Sequence, residues 1–336
     1  MADLVVSKDP FHFVDVAFCC DEGYLPPLAA AMASLLAHAR APSRLRFWLL
    51  SRTLDPRSTA SLAQLAANAG AHLELRSVRQ IRQPLSSAPL REHLTEATYY
   101  RLLLPDALPS SLRRVIYLDC DLIARRAIED LWATPLDGLP TAAVVNPRPA
   151  DYAALGLASE HDYFNAGVML IDLQRWRETH LHHRALHFVN TFEGPLPFLD
   201  QDALNHVHAG RWRRLDLRWN QQFKFFKHPA GYLRLSPSAL ARARREPFII
   251  HYSTTSKPWH YTNDHPWRRL YFRYLDRTPF RGARPQPRSL HERMRRTMWS
   301  VVPHRWRPDV IRYNVPPRLR ALKHLLVGAR ATRKPR

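Results

Sequence analysis

The chain is poor in cysteine and has no long apolar run. Only three of its 336 residues are cysteines, and Cys19 and Cys20 are adjacent, so no disulfide framework can form and a reducing compartment is expected. The longest apolar-rich stretch, Leu28–Ala37, falls well short of the roughly 18 apolar residues of a membrane span. The first residues, Met1–Leu4, lack the basic and then apolar order of a secretory signal. These absences predict a cytoplasmic protein, soluble or bound to a membrane surface.

Acidic residues are scarce near the C-terminus, and the net charge is therefore uneven. The whole chain carries 50 Lys and Arg against 29 Asp and Glu, a formal net charge of +21. Residues 281–336 hold 16 basic residues and two acidic ones, Glu292 and Asp309, a net charge of +14. The basicity thus belongs mainly to a tail. With 46% hydrophobic residues overall, the chain has enough apolar side chains for a folded core, which excludes a disordered protein.

Short apolar runs alternate with helix-forming segments through most of the chain. The predicted strands are Phe13–Cys20, Leu45–Leu50, Ala71–Leu75, Arg114–Leu118, Ala142–Val145, Gly167–Ile171 and Phe248–Tyr252. The predicted helical segments are Leu28–Ala39 after Pro26 and Pro27, Leu62–Ala69, Tyr99–Leu104, Gln174–Val189 and Asp202–His208. This alternation predicts an α/β fold with a parallel, doubly wound sheet and helices on both faces. Functional residues in such sheets lie beyond the carboxyl ends of the strands.

Two carboxylates follow one of these strands directly. Asp119 and Asp121, separated by Cys120, come after the apolar Arg114–Leu118. Carboxylates two positions apart can both turn toward one divalent cation of the Mg²⁺ or Mn²⁺ type, and such an ion can neutralise a diphosphate leaving group. An isolated match of this kind is more often a pair of solvated loop carboxylates. Its place at the edge of the sheet favours the metal site.

Three further segments carry polar groups suited to a sugar or a phosphate. Asn165 precedes the predicted strand Gly167–Ile171, and Gly167 is its first residue; an amide there can bond a hydroxyl, and a glycine permits a close approach. Asp200 and Gln201 stand at the start of a predicted helix and could hold a sugar at its anomeric carbon, or Asp200 could be only a cap.

The third segment follows the last predicted strand. His251 is a competent third metal ligand beside two carboxylates. Lys257, six residues further on, could reach a phosphate. A single histidine among 18 is more often a surface or core residue, so the inference depends on the combination of segments.

The combination resembles glycosyltransferase family 8, which includes bacterial lipopolysaccharide galactosyl- and glucosyltransferases and the glycogenins. The resemblance covers about residues 13–275, and its motifs stand in the family's order at Phe18–Tyr24, Tyr99–Leu102, Tyr117–Asp121, Phe164–Val168, Asp200–Asn205 and His251–Trp259. It implies a GT-A nucleotide-sugar-binding fold with a mainly parallel sheet and helices on both faces. It also implies retaining transfer of a hexose, glucose or galactose, from a UDP-hexose with Mn²⁺ (or Mg²⁺) to a saccharide or glycolipid acceptor. The implied domains are an N-terminal extension over 1–12, a glycosyltransferase domain over 13–280 and the basic tail over 281–336.

The resemblance also implies roles for individual residues. The metal ligands would be Asp119, Asp121 and His251, and the groups at the reaction centre would be Asp200 and Gln201. The remaining nucleotide-sugar contacts would be Cys19, Asp21, Tyr24, Arg101, Asp119, Cys120, Asn165, Thr254 and Lys257. Two positions depart from the family pattern. Gly23 stands where bacterial relatives often carry a polar residue, and Thr254 stands where the family commonly has glycine, although a β-branched residue rarely adopts positive φ.

Two other functions compete with hexosyl transfer. A basic nucleic-acid-binding protein would explain the high charge, but the charge concentrates in the tail and no binding motif for nucleic acid is present, so no nucleic-acid partner is predicted. An inactive relative that binds a UDP-sugar without turnover would explain Gly23 and Thr254.

In the tail, Leu319–Val327 places leucines on one helical face beside Arg320 and Lys323. This pattern predicts attachment to an anionic membrane surface, on the inner face of the cytoplasmic membrane; the alternative is a solvated, partly disordered basic tail.

Overall fold

The structure of the chain is a computed structural model that describes residues 13–297, apart from 54, 82–95, 148–151, 195, 288, 291, 295 and 296. Its strands are β1 Val14–Cys19, β2 Leu45–Ser51, β3 His72–Ser77, β4 Arg114–Leu118, β5 Leu122–Ala124, β6 Thr141–Val145, β7 Phe164–Asp172, β8 Arg213–Arg214, β9 Gln221–Gln222 and β10 Ile249–His251. Its α-helices are α1 Leu25–His38, α2 Pro56–Ala67, α3 Leu104–Ala107, α4 Glu129–Trp132, α5 Leu173–Glu178, α6 Leu181–Thr191, α7 Asp200–His208, α8 Lys224–Lys227, α9 Ala230–Leu233, α10 Pro237–Arg245 and α11 Arg268–Leu275.

A seven-stranded, mostly parallel sheet with the order β3-β2-β1-β4-β7-β6-β8 forms the centre of the molecule. Strands β3, β2, β1 and β4 run parallel. Every residue of β1 is buried, as expected for a parallel strand covered on both faces. The predicted α/β architecture with a mainly parallel sheet is confirmed.

Strand β7 runs antiparallel to its neighbours, a detail that the prediction of a mainly parallel sheet did not specify. It is antiparallel to both β4 and β6, and Val168 lies opposite Leu118. A parallel neighbour needs a crossover connection, usually a helix. In the described residues between β6 and β7, the only regular element is a 3₁₀-helix over Glu160–Asp162. Because of the reversed direction, the first residues of β7 lie at the carboxyl end of β4.

A second, three-stranded sheet of order β5-β10-β9 lies beside the first. Its strands are two or three residues long, too short for a periodic pattern, and β5 and β9 were not predicted. Strand β10 pairs antiparallel with β5, so that His251 lies opposite Leu122. This pairing carries His251 to the segment that follows β4.

Each predicted helical segment is helical in the structure, although its extent or type differs, and α4, α8, α9, α10 and α11 were not predicted. Helix α1 begins at Leu25, three residues earlier than predicted, because Pro26 and Pro27 occupy its first turn. The segment predicted as one helix over Gln174–Val189 is divided into α5 and α6, since His180 adopts a positive φ of 49°. The predicted helical segment Tyr99–Leu104 is largely a 3₁₀-helix over Glu96–Leu103. In the described part of the chain, no helix has the length and apolar character needed to cross a membrane.

Candidate active site

A cavity of about 230 Å³ opens where the carboxyl end of β4, the start of β7 and the start of α7 meet. It brings together all of the predicted site residues except Thr254. These residues are widely separated in the sequence, from Cys19 to Lys257. Those that line it are Cys19, Asp21, Tyr24, Arg101, Asp119, Cys120, Asp121, Asn165, Asp200, Gln201, His251 and Lys257. Residues that were not predicted line it as well, among them Thr98, Tyr117, Phe198 and Ser253.

Two carboxylates and one imidazole meet at the floor of the cavity. The Nε2 atom of His251 lies 3.5 Å from Asp119 Oδ2 and 3.3 Å from Asp121 Oδ1. One potential ligand atom from each residue falls within 4.8 Å of the other two. Adjacent ligands of one octahedral ion, each bonded at about 2.1 Å, lie about 3 Å apart. The three residues therefore fit a single divalent cation, with two hard carboxylate oxygens and one nitrogen.

Gly167 allows this approach. A Cβ atom on Gly167 would lie 2.3 Å from His251 Cε1 and 2.6 Å from Asp119 Oδ2, both far inside van der Waals contact. Sequence reasoning expected this glycine to let the backbone approach a ligand. The structure instead shows that Gly167 makes room for the two side chains of the carboxylate–histidine cluster.

A chain of hydrogen bonds determines which nitrogen of His251 carries the proton. The backbone N–H of Ala166 and Asn165 Nδ2 both donate to Gln201 Oε1, at 2.9 and 3.0 Å. The N–H of Gly167 donates to Asn165 Oδ1 at 3.1 Å, and Asn220 Nδ2 donates to the same oxygen at 2.7 Å.

The backbone N–H donors fix the orientation of each side-chain amide in this series of hydrogen bonds. Asn220 must present its oxygen to His251, and the contact between Oδ1 and Nδ1 measures 2.9 Å. Because that oxygen can only accept, Nδ1 carries a proton, and Nε2 is the nitrogen that faces Asp119 and Asp121 and could bind a metal ion. Such an orienting partner is typical of metal-binding histidines. Asn220 was missed because nothing in the local sequence singles it out.

Lys257 lies at the edge of the cluster and neutralises part of its charge. Its Nζ is 2.5 Å from Asp121 Oδ2 and donates to the carbonyl of Tyr252 at 2.9 Å. Burial alone would raise the pKa of Asp121, but Lys257 and His251 lower it well below its usual range. Asp121 is therefore ionised at neutral pH.

Arg101 joins the carboxylate cluster to the start of α7. Its Nη2 lies 3.1 Å from Asp119 Oδ1, and its Nε lies 2.8 Å from Asp200 Oδ2. Burial by itself would lower the pKa of Arg101, but the two carboxylates raise it above its ordinary value. Its Nη1 donates to the carbonyl of Ala166 at 2.9 Å, so the guanidinium is held by protein groups on several sides.

Asp200 is buried at the first turn of α7, directly after a strained residue. Leu199 has a φ of 49° and a ψ of −112°, a combination that costs an L residue of the order of 1–3 kcal/mol and is found mostly at functional sites. Burial raises the pKa of Asp200 to about 7; Arg101 opposes this rise, while Asp119 and Asp202 add to it. Asp200 thus changes its charge near neutral pH.

Both polar atoms of the Gln201 side chain bond to protein groups. Its oxygen accepts from Asn165 and Ala166, as described above, and its Nε2 donates to the hydroxyl of Tyr163 at 2.9 Å. That hydroxyl donates in turn to Asp202 Oδ1 at 2.5 Å. Tyr163 and Asp202 were not predicted as site residues, although Tyr163 directly precedes the motif Phe164–Val168 and Asp202 lies within the motif Asp200–Asn205. The amide therefore fixes Asn165 in place while it faces the cavity.

The chain is similar in sequence to proteins of a known family. Residues 15–263 match glycosyl transferase family 8. The chain belongs to this family. It is 28% identical to General stress protein A of Bacillus subtilis (strain 168), over 80% of this chain and 94% of that protein. It is 24% identical to lipopolysaccharide 1,2-glucosyltransferase of Escherichia coli (strain K12), over 89% of this chain and 88% of that protein.

The fold is that of the GT-A glycosyltransferases. The crystal structure of the galactosyltransferase LgtC, solved with donor and acceptor sugar analogues, superposes with a TM-score of 0.70 at 22% identity. The match covers 84% of this chain and all of that one.

Cys19, Tyr24 and Cys120, which the family resemblance assigned to the nucleotide sugar, line the cavity. Tyr24 packs edge-on against Trp259, with ring centroids 5.7 Å apart, and both belong to family 8 motifs. The thiol of Cys120 donates to the carbonyl of Cys19 at 3.3 Å, which ties β1 to the segment after β4. All three cysteines are free and buried.

The structure shows the local contacts of Thr254 and Gly23, the two residues that depart from the family 8 pattern. Thr254 is absent from the residues with positive φ in the described chain, so its β-branched side chain meets no strain there, and its hydroxyl donates to the carbonyl of Ser256 at 3.0 Å. A Cβ atom on Gly23 would come within 3.3 Å of Asp21 Oδ1. A larger residue at position 23 would therefore press on a side chain of the cavity wall.

Proposed function

We propose that this family 8 glycosyltransferase transfers a hexose, glucose or galactose, from a UDP-sugar to a saccharide or glycolipid acceptor, with retention at the anomeric carbon. The observation that carries the proposal is the cluster of Asp119, Asp121 and His251 with Lys257 beside it, in one cavity with Asp200. These groups supply the two elements that the reaction needs, a site for a diphosphate and a polar site for a sugar.

The diphosphate end of the donor would lie at the carboxylate–histidine cluster. Asp119, Asp121 and His251 would hold Mn²⁺ (or Mg²⁺), which when bound supplies positive charge for the leaving diphosphate. Lys257 lies 2.5 Å from Asp121 and would place a second positive charge at the same end. Preorganised charge of this kind usually lowers a barrier by several kcal/mol. Cys19, Asp21, Tyr24 and Cys120 would line the uridine pocket, and the loop of Thr254 would close over the diphosphate.

The hexose would lie between the cluster and the first turn of α7. Asp200 lines the cavity and is not part of the Asp119, Asp121 and His251 cluster, and its negative charge would support the oxocarbenium character of the sugar. Gln201 would border the reaction centre, and through its bond to Asn165 it would also position that amide for a sugar hydroxyl. Arg101, which pairs with both Asp119 and Asp200, would offset part of the repulsion between these two carboxylates. Asp200 is already paired with Arg101 at 2.8 Å, so it is poorly placed to act as a covalent nucleophile. Retention would therefore run through a short-lived ion pair on one face of the sugar.

The acceptor would enter over Phe198. This aromatic side chain lines the cavity and is 44% exposed, and its backbone N–H is fixed by Asp202 Oδ2 at 2.7 Å. An exposed ring on a fixed backbone suits the apolar face of a sugar. Because relatives are lipopolysaccharide glucosyl- and galactosyltransferases, a lipopolysaccharide-type acceptor is proposed. The basic tail would hold the enzyme at an anionic membrane; residues 301–336, which include Leu319–Val327, lie outside the described residues.

A donor screen tests this function. The protein is incubated with Mn²⁺ and a panel of UDP- and GDP-sugars, and nucleotide release is measured with and without EDTA. We expect release from UDP-glucose or UDP-galactose only, and its loss with EDTA and in Asp121→Asn. The control variant is Asp276→Asn, which removes an exposed carboxylate paired with Arg284 and should behave as the wild type. Binding of UDP without any release would contradict the proposal and identify an inactive relative.

A further inference from the structure

A second group of potential metal ligands lies outside the cavity, between α3 and the start of α6. Asp106, His182 and His183 each place one ligand atom within 4.8 Å of the other two. The Nε2 of His182 is 3.2 Å from Asp106 Oδ1, and the Nε2 of His183 is 3.6 Å from Asp106 Oδ2. None of the three residues lines the donor cavity.

The buried imidazole of His182 has an oxygen acceptor at each nitrogen. Its side chain is 2% exposed, and its Nδ1 lies 3.2 Å from the carbonyl of Trp176. A backbone carbonyl can only accept, so Nδ1 carries a proton. At the other nitrogen, Nε2 faces the carboxylate of Asp106, which also only accepts when ionised. A cation between Nε2 and this carboxylate, either a proton or a metal ion, is needed to make the contact favourable.

The distances fit a tetrahedral ion. Four ligands bonded at about 2.0–2.1 Å in a tetrahedron are separated by about 3.3 Å, and the two imidazoles lie 3.2 and 3.6 Å from Asp106, each from a different carboxylate oxygen. Two imidazoles and one carboxylate are a common protein ligand set for Zn²⁺, with water in the fourth position. The carbonyl of Trp176 on Nδ1 is the type of partner that orients a metal-binding histidine. His183 and Asp106 are partly exposed, with side-chain exposures of 42% and 31%, so an ion can reach them.

The backbone around Asp106 is held rigidly. The guanidinium of Arg177 donates to the carbonyls of Pro105, Leu108, Pro109, Ser110 and Leu112. This arrangement fixes α3 and the residues after it against α5. A metal site is more effective when its ligands are positioned before the ion arrives.

We propose that Asp106, His182 and His183 form a second metal site that takes a borderline divalent ion of the Zn²⁺ class. The site is distinct from the carboxylate-rich cluster of the cavity, whose oxygens suit Mn²⁺ or Mg²⁺. An ion there ties α3 to α6. Helix α3 directly follows the 3₁₀-helix that carries Arg101, and α6 packs on α7, which carries Asp200. Binding therefore stabilises the frame that holds two cavity residues without entering the reaction.

Binding of Co²⁺ to the full chain tests the site, in an Asp121→Asn background that weakens the cluster in the cavity. Titration is followed by calorimetry and by the visible absorption of tetrahedral Co²⁺, and thermal unfolding is measured with and without Zn²⁺. We expect one Co²⁺ per chain with a tetrahedral spectrum, and a higher melting temperature with Zn²⁺. In the same background, His183→Ala and Asp106→Asn should each weaken binding by about tenfold or more. Neither residue is fully buried, so both variants should fold.

The matched control is His187→Ala, which removes an exposed imidazole one turn further along α6. It should leave Co²⁺ binding unchanged. The proposal is overturned if no Co²⁺ binds in the Asp121→Asn background, because the contact of His182 with Asp106 is then a simple imidazolium–carboxylate pair. It is equally overturned if His187→Ala abolishes binding while His183→Ala does not. None of these outcomes depends on glycosyl transfer, so they remain informative if the donor screen fails.

Discussion

Substitution of Gly167 by alanine should disrupt the carboxylate–histidine cluster through a single added methyl group. The new Cβ would lie 2.3 Å from His251 Cε1 and 2.6 Å from Asp119 Oδ2. The contact cannot be relieved at the end of a flexible side chain, because His251 is 3% exposed and held by Asn220. The imidazole, the carboxylate or the strand β7 must therefore move.

The size of that movement follows from the distances. Non-bonded carbons approach to about 3.5 Å at closest, so His251 must shift by roughly 1 Å relative to Gly167. Metal–ligand distances tolerate only about 0.2 Å. We expect overpacking to cost about 1–3 kcal/mol of stability. We also expect metal affinity to fall by at least the 10–100-fold seen when the partners of metal ligands are removed.

The assay is metal-dependent nucleotide release from the donor identified in the screen, with the Mn²⁺ concentration varied at saturating donor. Gly167→Ala should shift the half-maximal Mn²⁺ concentration upward by the same factor, or abolish activity. Gly231→Ala is the control, because a Cβ atom there meets nothing within 4 Å and alanine favours helix α9. Circular dichroism and thermal unfolding show whether each variant folds. If folded Gly167→Ala retains the wild-type Mn²⁺ dependence, the three residues do not hold the metal.

Three other predictions concern Asp200, Tyr163 and the tail. Because the pKa of Asp200 is raised to about 7, its contribution to stability is present below its ordinary pKa of 3.8 and is lost as pH rises toward 7. The difference in unfolding free energy between wild type and Asp200→Asn should change across this window, and equal pH profiles in chemical denaturation would refute the shift. Tyr163→Phe leaves Gln201 Nε2 and Asp202 Oδ1 without this partner and should cost about 1–3 kcal/mol; an unchanged melting temperature would contradict the hydrogen-bond chain. Full-length protein should co-sediment with anionic vesicles at low salt but not with neutral ones, and a chain ending at residue 280 should stay in solution; sedimentation of both or of neither would rule out attachment through the tail.

The sequence by itself determined the class of fold and most of the cavity. Strands β1, β2 and β4 were predicted because each is an apolar run, buried throughout or nearly so. The site residues were predicted from the family motifs that contain them, and all of these site residues but Thr254 line one cavity. Their roles in binding and catalysis stay predictions until the donor screen and the variants are measured.

Only the tertiary structure decided how these residues meet. Asn165 and Gly167 lie at the start of β7, and they join Asp119 because β7 runs antiparallel to β4. His251 reaches the cluster through strands of two or three residues, and Asn220 orients it from a segment without any pattern. The spacing of apolar residues indicates which face of a helix or strand is buried. The order and direction of strands depend instead on contacts between residues that are distant in the sequence. The geometry of the cluster, including the space left by Gly167, therefore appears only when the sheets are assembled.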